Sequence, residues 1–212
     1  KAKMGYALDL ENPKTLNEKI QWLKLYDRTT LHTICADKVL VRDYVKDLIG
    51  EEYLTPLLYA TKNPDYIKES DLPDVPFVVK ANHDSGSYLI FNDKKEVDLI
   101  ALKVKCKQWL KNNYYYASKE WQYKNIKPLI LFEKLHIEQS GLGVIKDYKM
   151  HCFMGNPKMV SIDVGRNTTK HVRNWYDVNW KPEPFKWSSL LNDKPTDPDY
   201  SIQGCCLLRL GM

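Results

Sequence analysis

The sequence has no apolar run approaching the ~20 residues that a membrane-spanning helix requires, no C-x-x-C pair, no block of like charge, and no repeat or low-complexity tract. Each absence removes a class of protein. Without long apolar runs, no membrane span is expected. The opening stretch KAKMGYALDLENPKTLNEK also lacks the apolar core of a signal peptide, so a cytoplasmic address is expected. Five cysteines, an odd number without zinc-type spacing, fit neither a disulfide framework nor a structural metal site. Cys35, Cys106 and Cys152 therefore read as reduced packing residues. The net charge of +5 is spread along the chain, which gives no footprint for nucleic acid, and none is expected as a partner.

What is present is a core-forming composition. With 212 residues and 43% hydrophobic content, the chain can bury one large core or two small ones. Fourteen tyrosines and six tryptophans would suit sugar or base stacking. Trp22, Tyr26, Tyr44 and Trp109, however, recur at helical spacing and read as core.

Thr15-Leu16-Asn17-Glu18 is a capping-box pattern and predicts a helix start, with Leu16, Ile20, Leu23 and Tyr26 on one inward face. A second helix is predicted from about Asp37, carrying Val41, Tyr44, Val45 and Leu48 inward and stopping at Gly50. A short apolar segment spans residues 54 to 59. The stretch PFVVKANHDSGSYLIF reads as strand, polar turn and strand, followed by a helix with Leu99, Leu102, Cys106, Trp109 and Leu110 along one stripe. A strand over residues 129 to 132 ends in Glu133-Lys134. The loop IEQSGLGVIK then leads into a hairpin, residues 147 to 154 and 157 to 164, with its turn at Gly155-Asn156. On the first of these strands, Asp147, Lys149, His151 and Phe153 share one face, and Tyr148, Met150, Cys152 and Met154 the other. Helices first, then mixed strands and one helix, is an α+β order. Beyond Tyr176, prolines interrupt any regular element, and the apolar end QGCCLLRLGM reads as the cut end of a longer chain.

Taken singly, the polar candidates have ordinary explanations. Lys80 suits a strand end, His83 a turn, Glu133-Lys134 a solvated edge, and Asp147, Lys149 and His151 an exposed strand face. Their order suggests more. A triphosphate held between two sheets needs lysines for its phosphates, a loop of small residues whose N–H groups close over them, a backbone edge for the base, and carboxylates for Mg²⁺. The chain offers Asp37-Lys38, then Lys80, the His83 to Ser87 loop, Glu133-Lys134-Leu135 and finally Asp147 and Lys149. Arg166, Lys170 and Arg173 add positive charge that suits either a carboxylate or phosphate group or a solvated loop.

The stretches TLNEKIQWLKLYDR, ADKVLVRDYVKDLIGEEYLTPLL, FVVKANHDSG, EWQYKNIKPLILFEK, DYKMHCFMGNPK and NWYDVNW resemble the TupA-like ATP-grasp family of polysaccharide biosynthesis over about residues 15 to 180. The resemblance implies an ATP-grasp-like fold lacking its C-terminal part. Its segments would be 1–70 (helical lead-in), 71–135 (small subdomain with the grasp loop) and 136–212 (partial second subdomain and tail). It further implies that Lys38 and Lys80 bind phosphates and that His83, Ser85, Gly86 and Ser87 form the closing loop. Glu133 would face the adenine amino group, and the backbone of Lys134 and Leu135 would line the base. Asp147 joins this nucleotide set, and Lys149 and Arg166 are the catalytic candidates. The implied cofactors are ATP and Mg²⁺. The metal ligands are not identifiable, since Asp163, Asp177, Asp193, Asp197 and Asp199 lack the strand context such a site needs. The implied activity is carboxylate–amine ligation through an acyl phosphate, with a carboxylate-bearing sugar or amino acid and an amine as substrates. Two readings compete with it. One is a glycosyltransferase of the same pathway using a nucleotide sugar; the other is a non-catalytic polysaccharide-binding protein.

Overall fold

The computed structural model describes residues 5–136, 146–165, 169 and 171–184. They fall into two compact units divided after His136.

In the first unit, helix α1 (Leu16–Tyr26) begins at the predicted capping box. The Thr15 hydroxyl accepts the Glu18 N–H, and the Glu18 carboxylate accepts the N–H groups of Thr15, Lys14 and Asp9. Those backbone donors, that of Thr15 foremost, pull the Glu18 carboxyl down to about 2. The apolar face predicted to point inward does not. Leu16, Ile20, Leu23 and Tyr26 are all exposed, as is Trp22, and Glu18 is the buried residue of α1. A short helix that the sequence pattern does not reveal, α2 (Thr30–Ala36), precedes α3 (Leu40–Ile49). The two are separated because Asp37 turns its carboxylate onto the N–H groups of Val39 and Leu40. Gly50 ends α3 at φ +111°, as its position predicts. Val41, Tyr44 and Val45 are half-buried, but Leu48 is exposed, against expectation.

Strands β1 (Leu57–Thr61), β2 (Phe77–Ala81), β3 (Tyr88–Phe91) and β4 (Ile130–Lys134) form an antiparallel sheet in the order β1-β4-β2-β3. Between β3 and β4, helix α4 (Leu99–Lys111) starts where Asp98 accepts the N–H groups of Ile100 and Ala101. A short helix, α5 (Tyr114–Ser118), and a 3-10 turn (Trp121–Tyr123) follow it. Alternation divides the sheet. Phe77, Val79 and Ala81 of β2 with Ile130 and Phe132 of β4 pack against Leu102, Cys106 and Trp109 of α4. Phe77 lies 5.3 Å from Phe91 and 5.8 Å from Phe132, both stacked. Such burial contributes about 1.5–3 kcal/mol for each large side chain. The opposite face carries Val78 and Lys80, paired in register with Glu133 and Leu131.

The second unit is an antiparallel sheet of β5 (Lys146–Phe153), β6 (Asn156–Val164) and β7 (Val172–Asp177), in that order. The hairpin forms as predicted, with its turn one residue earlier. Met154 (φ 50°) and Gly155 (φ 72°) are the central pair, a two-residue turn with both φ positive whose twist suits the flanking strands. Tyr148, Met150, Val160, Ile162, Tyr176 and Trp180 pack on one face, as alternation predicts for β5. Cys152 is exposed beside an irregularity in the β5–β6 ladder, and Cys35 is also exposed, so of the three cysteines read as packing residues only Cys106 is buried. Strand β7 is not among the predicted elements, because its strand pattern is cut off by Asp177 and the prolines beyond.

Candidate functional site

In the first unit the structure brings Lys38, Lys80 and Glu133 together from three separate segments. Lys80 and Glu133 stand on the same sheet face, close together on neighbouring strands, and form an ion pair. Arg42 of α3 approaches the same carboxylate through its other oxygen, at 3.4 Å, and donates to the Thr55 carbonyl at 2.5 Å. Glu133 is 6% exposed in its side chain, so two cations compensate a charge that burial alone would penalise.

Lys38, just before α3, donates to the carbonyls of Ala81 (2.8 Å), Asn82 (3.3 Å) and Asp84 (2.5 Å), folding the start of the β2–β3 turn around its ammonium. Burial lowers its proton affinity. Lys80 lowers it further, while Asp84, Glu133 and Asp37 act to raise it, so all these charges lie within each other's field. Asn82 locks the turn below. Its amide donates to Asp37 and to the Lys127 carbonyl, and its oxygen accepts the Leu129 N–H at 2.7 Å.

The loop is thus rigid at its base and open at its tip. His83 is 2% exposed, with its ring between Asn82 on one side and the carbonyls of Trp109 and Asn112 on the other. Asp84 is also buried. One of its oxygens accepts the Ser87 hydroxyl, and the other, Oδ1, has no hydrogen-bond partner among the described residues. Ser85 and Gly86 are exposed, and Gly86 adopts φ +104° with open space where a Cβ would be. At the end of β4, the N–H of Lys134 donates to the Pro56 carbonyl and that of Leu135 to the Pro76 carbonyl.

In the second unit, Asp147 and Lys149 lie on the polar face of the β5–β7 sheet. Asp163 of β6 stands directly between Asp147 of β5 and Arg173 of β7. Two carboxylates opposite one another repel; Lys149 bridges them, 2.5 Å from Asp147 and in contact with Asp163. Arg173 grips Asp163 through Nε (2.7 Å) and Nη2 (3.0 Å), and His171 meets it at 2.7 Å. Burial acts to raise the Asp163 pKa, but Arg173, Lys149 and His171 outweigh it and hold the carboxyl well below the usual range. The His151 ring, 3.1 Å from the Ser161 hydroxyl and tilted over Trp175, is shifted down by burial and then by Arg173 and Lys149. Arg166 and Lys170 lie outside the described residues.

Arg42 and the Asp163 hub are the parts that sequence reasoning missed. Arg42 follows Lys38 by four residues, a spacing that would set both on one side of the helix predicted from Asp37, but α3 begins only at Leu40 and leaves Lys38 before it. Asp163 alternates with the apolar Val160, Ile162 and Val164, which marks it as part of a polar face.

The described residues form an α+β architecture of helices and antiparallel sheets. The family described as TupA-like ATPgrasp matches residues 18–204, and the chain belongs to it. No curated protein and no solved structure matches the chain. Among the described residues no helix is long and apolar enough to cross a membrane.

Proposed function

We propose that this chain binds ATP on the Lys80/Glu133 face of the first sheet and serves a carboxylate–amine ligation. The observation that supports this most is the convergence of Lys38, Lys80 and Glu133 from three distant segments. In this reading, residues 1–70 lead into the nucleotide fold, 71–135 carry the small subdomain and its loop, and 136–212 belong to the second subdomain.

Lys80 stands on a central strand because its charge must meet phosphate at a fixed distance. Lys38 joins it by giving up its longest bond, that to the Asn82 carbonyl at 3.3 Å. The closing segment is Ser85, Gly86 and Ser87, with His83 as its buried anchor. Glu133 accepts from the adenine amino group, and the carbonyls of Lys134 and Leu135 line the base. Because both of their N–H groups are already bonded, the donor to the ring nitrogen is the next one along the chain, that of His136. Lys149 and Arg166 are the catalytic candidates, and Asp147 a further nucleotide-binding one. In the reaction a carboxylate oxygen of the acceptor attacks the γ-phosphorus, ADP leaves, and an amine then displaces phosphate from the acyl carbon, losing its proton to solvent. Acceptors of the sugar-acid or amino-acid class fit that chemistry.

Among the described residues no group of three or more His, Cys, Asp or Glu side chains could hold a metal ion, and both oxygens of Asp163 are engaged by basic side chains.

Thermal-shift titration of the full chain tests the reading. ATP should stabilise the protein, Lys80→Ala should abolish that shift, and a uridine diphosphate sugar should have no effect. A shift with the nucleotide sugar alone would replace the ligase by a glycosyltransferase.

A further inference from the structure

A cleft of about 500 Å³ opens in the first unit among Ile20, Leu23 and Lys24 of α1, Cys35 and Ala36 of α2, and Trp121 and Tyr123 of the 3-10 turn, with Asp27, His32 and Gln122 also in its lining. None of these residues takes part in the nucleotide site proposed above. The volume lies within the ~300–1,000 Å³ typical of small-molecule sites. We propose that this cleft binds a hydroxylated ring compound bearing one carboxylate, a sugar acid, with Lys24 meeting the carboxylate and the aromatic wall meeting the ring's C–H face.

Three observations support the assignment. The walls are apolar and aromatic, and the aromatics are held in place: Arg28 sits 5.8 Å over Trp121, and Tyr114 packs edge-on against Tyr123 at 5.0 Å. A fixed wall spares a ligand the cost of ordering it. The polar lining can both donate and accept. Asp27 and His32 are only 3.9 Å apart and loosely paired, and the Gln122 amide is oriented by Glu120 at 3.3 Å. Lys24, finally, is half-buried in the lining and has no ion-pair partner among the described residues. Asp27 faces His32, so Lys24 is the full positive charge that the lining offers an anion, which suits one carboxylate, whereas a phosphate dianion calls for several cations. A purely apolar ligand would leave the lysine desolvated and unpaired.

Ala36 in the cleft wall is only two residues, at most about 7 Å of chain, from Lys38. If the nucleotide reading holds, a bound acid is a candidate phosphoryl acceptor; the binding itself does not depend on that reading.

The test is NMR titration of tryptophan indole N–H signals in the full chain, with the Trp121 signal assigned by its loss in Trp121→Phe. D-Glucuronate should shift that signal saturably, and D-glucose should bind at least about tenfold more weakly. Lys24→Met should bring glucuronate down to the glucose level, while Lys24→Arg should largely retain it. ADP should leave the shift in place, whether or not it binds elsewhere. The proposal is overturned by equal binding of the two sugars, by an unaffected Lys24→Met, by the absence of any saturable shift, or by displacement with ADP, which would make the cleft a nucleotide site.

Discussion

Replacing Asp163 by Asn removes the one charge that holds three basic groups together on the second sheet. The carboxylate engages Lys149, His171 and two nitrogens of Arg173, and its own side chain is fully buried. Removing one partner of a buried ion pair costs roughly 3–5 kcal/mol. The partners here keep side-chain exposures of 35% (Lys149), 19% (His171) and 24% (Arg173), so water compensates them in part and the loss falls to about 2–4 kcal/mol. In urea, with a slope near 2 kcal/mol per molar, the unfolding midpoint should fall by about 1–2 M. Tryptophan fluorescence follows the transition, since Trp175 lies beside His151 on the same face. Asp147→Asn, at a 34% exposed side chain, should cost under about 1 kcal/mol. The Asp163 contribution also has a defined pH range. Its folded pKa lies below the unfolded value of about 3.9, so the stabilisation is complete above about pH 5 and declines as the pH falls below about 4. An Asp163→Asn protein within about 0.5 kcal/mol of the parent at pH 7 would refute this account of the hub.

His83→Ala should destabilise the first unit by about 1–3 kcal/mol, because the Trp109 and Asn112 carbonyls lose their buried partner. Amide exchange at residues 84 to 87 should accelerate in that variant, and unchanged exchange would show that the ring does not anchor the loop. Burial pushes the Cys106 thiol up to about 12, so peptide mapping after maleimide treatment at pH 8 should find Cys152 labelled quickly and Cys106 protected until unfolding. Arg42→Met should weaken nucleotide binding indirectly by leaving Glu133 paired to Lys80 alone, a defect that Arg42→Lys, too short and unforked to span Glu133 and Thr55, should not repair. Equal affinities in all three proteins would remove Arg42 from the site.

Local signals in the sequence reach furthest. The capping box of α1, the glycine stop of α3, the β2–β3 hairpin and the stripe of α4 each depend on residues close in sequence, and each is legible from spacing. Periodicity says that a helix has an apolar face but not what that face meets, and in the first unit the face of α1 remains exposed. The chain breaks between α2 and α3 because a single side chain, Asp37, competes for the backbone. Within the candidate site, Lys80 and Glu133 are legible because strand ends carry them. Arg42 and Asp163 are not, because their importance arises from registers and crossings that only the folded chain sets. The backbone donors of Lys134 and Leu135 show the same limit: no sequence feature announces that two proline carbonyls already occupy them.

The central claim is that ATP lies on the Lys80/Glu133 face. A crystal structure of the full chain with a non-hydrolysable ATP analogue tests it most directly. The account predicts phosphate oxygens within hydrogen-bonding distance of the Lys38 and Lys80 ammonium groups, the adenine amino group at Glu133, and a ring nitrogen accepting from the His136 N–H. Nucleotide found in the cleft beside Trp121, or anywhere that leaves Lys80 and Glu133 paired only to protein, would contradict it.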